Sequence, residues 1–162
     1  MEKNQHQPDM TKEAFVAAAK ILARQPRTEK EIQQKLIDKD FPAVVVSLVV
    51  SRLRQDGYLD DTHYARDFIE QTLRYRPAGR YLLLKKLQAR GITNEVATKA
   101  LEECYPPDKE AEIGERLLVK KLKDCKYDNK QEKAEKLVSY LKTKGLATDI
   151  IMELLERHGL LG

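Results

Sequence analysis

The chain has 162 residues, 41% of them apolar and 35% charged, and a net charge of +4 from 30 basic and 26 acidic side chains. That mixture describes a folded chain and excludes low-complexity disorder, and no run approaches the roughly 18 apolar residues of a membrane span. Cys104 and Cys125 stand alone, with no CxxC and no histidine beside them, so they read as ordinary thiols rather than a disulfide or metal site.

In chain order, residues 1–11 read as a loose polar tail without the apolar stretch of a secretory signal, as expected of a cytoplasmic protein. Residues 12–61 predict a first three-helix unit. Its first helix runs from Lys12 to Arg24 and stops before Pro26. Thr28 and Glu31 form a T-x-x-E capping box opening a helix over 29–39, with Ile32 and Leu36 on one face. The segment from Ala43 to Leu53 contains VVVSLVV, which taken alone favours a buried strand. Its register against later helical segments (Val45 and Val49 with Val96 and Ala100, then Ile150 and Leu154) predicts a helix instead.

Residues 62–108 predict a second unit, with helices over 62–75, 79–90 and 94–103. Pro106-Pro107 separates it from a third unit over 109–162, with helices over 110–123, 130–144 and 148–158. Gly91 and Gly145 follow the second helix of their units, where a left-handed cap favours a residue without a Cβ, and Asp40 stands there in the first unit.

These units repeat. Leu22, Pro26, Ile32, Leu36 and Phe41 recur 51 residues later as Leu73, Pro77, Leu83, Leu87 and Ile92, and the pattern returns as Leu137, Leu141 and Leu146. A period of this size predicts an all-α tandem array of three three-helix units, elongated, curved and solenoid-like, its handedness open. Arrays offer long surfaces to macromolecules rather than enclosed catalytic pockets.

Glycines at phosphate-loop spacing are absent, and His6, His63 and His158 are isolated, so neither a nucleotide loop nor a histidine-based catalytic centre is indicated. The run Asp56-Gly57-Tyr58-Leu59-Asp60-Asp61 admits two readings. Three carboxylates could hold Mg²⁺, as in a nuclease. The favoured reading makes Asp60 and Asp61 caps of the helix starting near Thr62, with Gly57 in the turn and Tyr58 and Leu59 plugging the joint between units. No catalytic residue, metal or cofactor is expected.

The strongest signal is charge. Between Gln71 and Asn94 there are six basic residues and no acid: Arg74, Arg76, Arg80, Lys85, Lys86 and Arg90. Arg74, Arg76 and Arg80 bracket a turn, where they suit phosphate oxygens, and Tyr75 or Tyr81 can stack on an unpaired base. The alternative is a solvated face whose cations favour a helix C-terminus.

The same residues carry a resemblance. Gly57-Tyr58-Leu59-Asp60-Asp61, Tyr64-Ala65, Phe68-Ile69, Arg76, Gly79, Leu83, Leu87 and Arg90-Gly91-Ile92 resemble the RecX family, with a similar upstream pattern at Ala18, Leu22, Arg24, Glu31 and Leu36. The turn Arg76-Pro77-Ala78-Gly79 departs from it, since Gly-Pro is usual there. The resemblance implies a non-enzymatic, monomeric regulator of the RecA recombinase. It would lie in the groove of the RecA filament on single-stranded DNA and suppress ATP hydrolysis and strand exchange. A stand-alone nucleic-acid-binding module of helix-turn-helix type is the alternative.

Overall fold

The computed structural model describes residues 10–124 and 126–161, and within these every regular element is an α-helix. Nine helices follow in order: α1 (Met10–Arg24), α2 (Glu29–Ile37), α3 (Ala43–Gln55), α4 (Asp61–Tyr75), α5 (Arg80–Ala89), α6 (Asn94–Cys104), α7 (Pro107–Asp124), α8 (Lys130–Thr143) and α9 (Thr148–Arg157). The fold is all-α, as the repeat predicts. Residues 1–9 of the predicted tail and Cys125 lie outside the described residues, and α1 begins two residues before the expected Lys12.

The valine-rich segment is helix α3. Val46, Val49, Val50 and Leu53, spaced three and four apart, are at most 3% exposed, while Val44 and Leu48 face outward. Burying each such side chain contributes about 1.5–3 kcal/mol, against helix-propensity differences of about half a kcal/mol per residue. Packing therefore decides. Ala14, Ala18, Ile32 and Leu36 complete the apolar centre shared by α1, α2 and α3. The same positions recur downstream: Leu83 and Leu87 of α5, Leu137 and Leu141 of α8, and Ile151, Leu154 and Leu155 of α9 are all fully buried.

The second helix of each trio ends alike. Asp40 (φ 65°), Gly91 (φ 84°) and Gly145 (φ 80°) take the left-handed conformation. The next N–H then reaches back to a carbonyl in the last turn, Phe41 to Leu36 at 3.2 Å and Leu146 to Leu141 at 3.3 Å. Aspartate tolerates this backbone better than most side chains, and that suffices in the first trio.

Two compact units divide the chain. One ends at Tyr64 and takes in Arg90–Ile92; the other comprises Ala65–Ala89 and runs on from Thr93. α1, α2 and α3 pack mutually in the first, while α5 packs on α6 and α7, α8 and α9 pack mutually in the second.

Candidate functional site

The six basic residues of the acid-free stretch separate into two kinds. Arg74, in the last turn of α4, Arg76, just beyond it, and Lys85 on α5 are exposed, and Lys86 is half-buried. Among the described residues their side chains make no hydrogen bond or ion pair. Tyr75 and Tyr81, 73% and 60% exposed, are their sequence neighbours. Along α5 the residues Tyr81, Lys85, Gln88 and Ala89 form the outward stripe, opposite Leu83 and Leu87. Leu82 packs against Gly145.

Arg80, half-buried, and Arg90, exposed, are each engaged by other groups of the protein. The Arg80 guanidinium donates to the Tyr105 carbonyl at 2.8 Å and lies 3.8 Å from Glu110, while its backbone N–H donates to Glu110 Oε1 at 2.9 Å. Glu110 is 2% exposed, so this pair satisfies a carboxylate that water barely reaches. Tyr105, fully buried, donates its hydroxyl to the Ala78 carbonyl at 2.9 Å. Burial, and then the nearby Glu110 charge, push that phenol's pKa upward.

Arg90 occupies an equivalent joint in the first unit. Its Nη1 donates to the Tyr64 hydroxyl at 2.9 Å and approaches Glu31 at 3.3 Å. Its carbonyl accepts the Thr28 hydroxyl at 2.6 Å. Thr28 and Glu31 form the predicted capping box, with Glu31 N–H donating to Thr28 Oγ1 at 3.1 Å and Thr28 N–H donating to Glu31 Oε2 at 3.0 Å. One carboxylate thus closes a helix end and anchors Arg90. Burial raises the Tyr64 pKa, an effect the Arg90 charge opposes.

Both joints follow one plan. In the first, the turn that opens α2 meets the left-handed cap at Gly91. In the second, the turn that opens α5 meets the cap at Gly145, and Gly79 N–H donates to Lys144 O at 2.7 Å while Tyr81 N–H donates to Gly145 O at 3.0 Å. A Cβ on Gly91 would come within 3 Å of Lys30, and one on Gly145 within 3 Å of the Leu82 backbone. Close approach, beyond the positive φ, requires glycine at both places.

The acidic motif serves the first joint. Gly57 (φ 79°) turns the chain and Leu59 is buried, but Tyr58 is 66% exposed and does not plug the joint. Tyr58 and Leu59 are neighbours, so the turn sends one inward and the other out. Asp60 caps α4 by accepting from His63 N–H at 2.9 Å. Asp61 does not cap its own helix: it accepts from Glu29 N–H at 3.0 Å, at the start of α2. Burial raises its pKa. Asp56 accepts from Arg52 at 2.7 Å, so the three carboxylates point to three different partners.

Glu110, Tyr105 and Ala78 complete the second joint and were not picked out as partners by sequence. A signal existed. Asp61 and Glu110 each stand four residues before a small buried residue, Ala65 and Gly114, in the first helix of their trios.

Comparison with known proteins places this architecture. The sequence model for the first three-helix domain of RecX matches residues 14–53, and that for the second matches residues 60–101. Regulatory protein RecX of Caldanaerobacter subterraneus subsp. tengcongensis is 31% identical over 140 residues, covering 86% of this chain and 68% of that protein. The chain belongs to the RecX family. The RecX protein of Bacillus mycoides is 30% identical over 143 residues, and that of Leuconostoc mesenteroides 27% over 149. The chain spans about half the length of these two relatives, 53% and 55% respectively. The crystal structure of RecX from Lactobacillus salivarius superposes with a TM-score of 0.83 at 26% identity, covering 94% of this chain and 99% of that one. None of the described helices is long and apolar enough to cross a membrane.

Proposed function

We propose that this chain regulates the RecA recombinase by binding its filament on single-stranded DNA, suppressing ATP hydrolysis and strand exchange. Membership of a family of regulatory proteins supports the reading, and the surface of the second compact unit carries it further. Among the described residues Arg74, Arg76, Lys85 and Lys86 have no ion-pair partner, and two exposed tyrosines neighbour them in sequence. Such cations gain from phosphate oxygens by releasing counterions, and exposed aromatic rings stack on unpaired bases. In this reading Arg80 acts indirectly, by fixing the turn that opens α5, the helix that carries Lys85 and Lys86.

The test is steady-state ATP hydrolysis by a preformed RecA–single-stranded DNA filament during titration with this protein. The expected outcome is suppression near stoichiometric protein, weakened at least tenfold by Arg74→Glu with Arg76→Glu at unchanged helicity. Undiminished potency of that double variant would remove the surface from the reading, and an unaffected filament would remove the function. Arg80→Glu is unsuitable, because it sets a second carboxylate against Glu110.

The stand-alone nucleic-acid-binding reading makes a different prediction. Oligonucleotide binding without recombinase would be strong, and its logarithm would fall steeply with that of salt concentration.

A further inference from the structure

Two lysines of the third trio converge on one ring. Lys121 of α7 and Lys144, the residue that caps α8, set their ammonium groups 5.1 Å and 5.5 Å from the centre of the Tyr140 ring. The two nitrogens are therefore no farther apart than the sum of those distances. Among the described residues neither lies within 4 Å of a carboxylate. Both side chains belong to half-buried residues, so their stems are held while the charges stay unpaired. Attraction to the ring face gathers the ammonium groups without neutralising them. Both lysines sit at helix C-termini, where the dipole favours a cation. That accounts for one positive residue at each end, but not for two drawn from separate helices onto one ring.

This cluster adjoins the basic surface of α5, and both belong to the second compact unit. The Lys144 carbonyl accepts the Gly79 N–H at 2.7 Å, and Leu82 packs against Gly145. Lys86 follows Leu82 by one turn on the same side of α5. Arg76 precedes Gly79 by three residues, at most about 11 Å of chain. Glu110, the acid at this seam, is 2% exposed and turned inward onto the Arg80 N–H at 2.9 Å. It therefore adds no negative charge to the surface between the two groups of cations.

We infer that Lys121 and Lys144 are a further contact for the sugar-phosphate backbone of a nucleic-acid single strand, extending across the seam the surface that Arg74, Arg76, Lys85 and Lys86 begin. The inference rests on the single-stranded DNA reading above for the class of its ligand. A phosphodiester chain carries a charge at every nucleotide and bends between them. It can therefore follow cations set on a turn, a helix and a neighbouring cap. A folded acidic protein would have to meet all of them at once with carboxylates in one fixed arrangement. The rings divide in the same way. Tyr75 and Tyr81, 73% and 60% exposed, are open to bases, whereas Tyr140 is already engaged by two ammonium groups. The third trio grips the backbone and leaves the bases unread.

The probe is fluorescein-labelled oligothymidylate, titrated with the full-length protein by anisotropy over salt concentrations that start low. On single strands the logarithm of affinity falls with that of salt by about 0.7 per phosphate contact. Lys121→Gln plus Lys144→Gln should therefore flatten the slope by about 1.4, with circular dichroism unchanged. Lys121→Arg plus Lys144→Arg, which keeps both charges, should hold the parental slope. Arg74→Gln plus Arg76→Gln should flatten it as the glutamine pair does, and all four glutamine changes together by about twice as much. A parental slope in the Lys121→Gln plus Lys144→Gln variant, beside a flattened one for Arg74→Gln plus Arg76→Gln, overturns the inference and spares the earlier surface. A slope that flattens equally with Lys121→Arg plus Lys144→Arg overturns it as well, since packing at Tyr140 and not charge would be responsible. Oligonucleotide that fails to bind at any salt overturns it, while suppression of ATP hydrolysis stays a separate test of the function. So does a polyglutamate peptide whose binding needs these lysines when that of the oligonucleotide does not.

Discussion

Replacing Gly145 by alanine should damage the protein far more than the same change at Gly57, although both glycines adopt nearly the same backbone, φ 80° and 79°. The left-handed conformation itself costs an L-residue about 1–2 kcal/mol at either site, offset by about 0.4–1 kcal/mol from a stiffer unfolded chain. Those contributions cancel in the comparison. At Gly57 a Cβ meets nothing within 4 Å, whereas at Gly145 it would lie within 3 Å of the Leu82 backbone. Relieving that overlap means moving a turn held by two main-chain bonds, Gly79 N–H to Lys144 O at 2.7 Å and Tyr81 N–H to Gly145 O at 3.0 Å. Overpacking costs about 1–3 kcal/mol, and weakening a buried hydrogen bond about 1 kcal/mol more. Gly145→Ala should therefore cost about 2–4 kcal/mol beyond Gly57→Ala, read from urea unfolding followed by circular dichroism. Equal losses would refute the joint as a close main-chain contact.

Arg80→Ala should destabilise by about 2–3 kcal/mol, because it strips a partner from the buried Glu110, whereas Arg74→Ala and Arg76→Ala should stay within about 0.5 kcal/mol. Similar losses at all three in urea unfolding would place Arg80 on the open surface with the others. For Asp61, burial raises the carboxyl pKa, so the folded chain favours the protonated form. Its contribution to stability is present below the ordinary carboxylate range and is lost as pH rises through the raised value. Asp61→Asn, which keeps an acceptor for Glu29 N–H without the charge, should match or exceed the parent at pH 7 and lose that advantage near pH 3. A parent more stable than the variant at neutral pH would reverse the sign of the argument. Asp61→Ala should cost about 1 kcal/mol near pH 3, by leaving that N–H without its acceptor, and less at pH 7, where the parent has lost the stability linked to the protonated carboxyl.

The helices were legible because each rests on local signals. Thr28 with Glu31 marks a start, Gly91 and Gly145 mark ends, and Ile32, Leu83 and Leu137 mark the inward face at a constant interval. Even VVVSLVV was readable once its register was fixed by segments with clearer helical character. The candidate surface was legible only as a sign of charge. Composition makes Arg80 and Arg76 identical, and what separates them is Glu110, thirty positions along the chain, reached only when α7 folds back on the turn before α5. Arg90 was hidden in the same way, its partner Glu31 lying 59 positions earlier. Tyr58 shows the opposite failure. A motif read as a block carries no information about which of two adjacent apolar side chains the turn directs inward.

The hydrogen bonds between the turn at Gly79 and the cap at Gly145 are made by backbone amides and carbonyls alone. Their fit is therefore indifferent to most of what the neighbouring helices display. Exposed positions such as Arg74, Arg76 and Lys85 can be rewritten without altering how the two elements meet. A different recognition surface could be grafted onto α5 while the hinge-like seam stays as it is, which makes this middle segment a natural chassis for redesign.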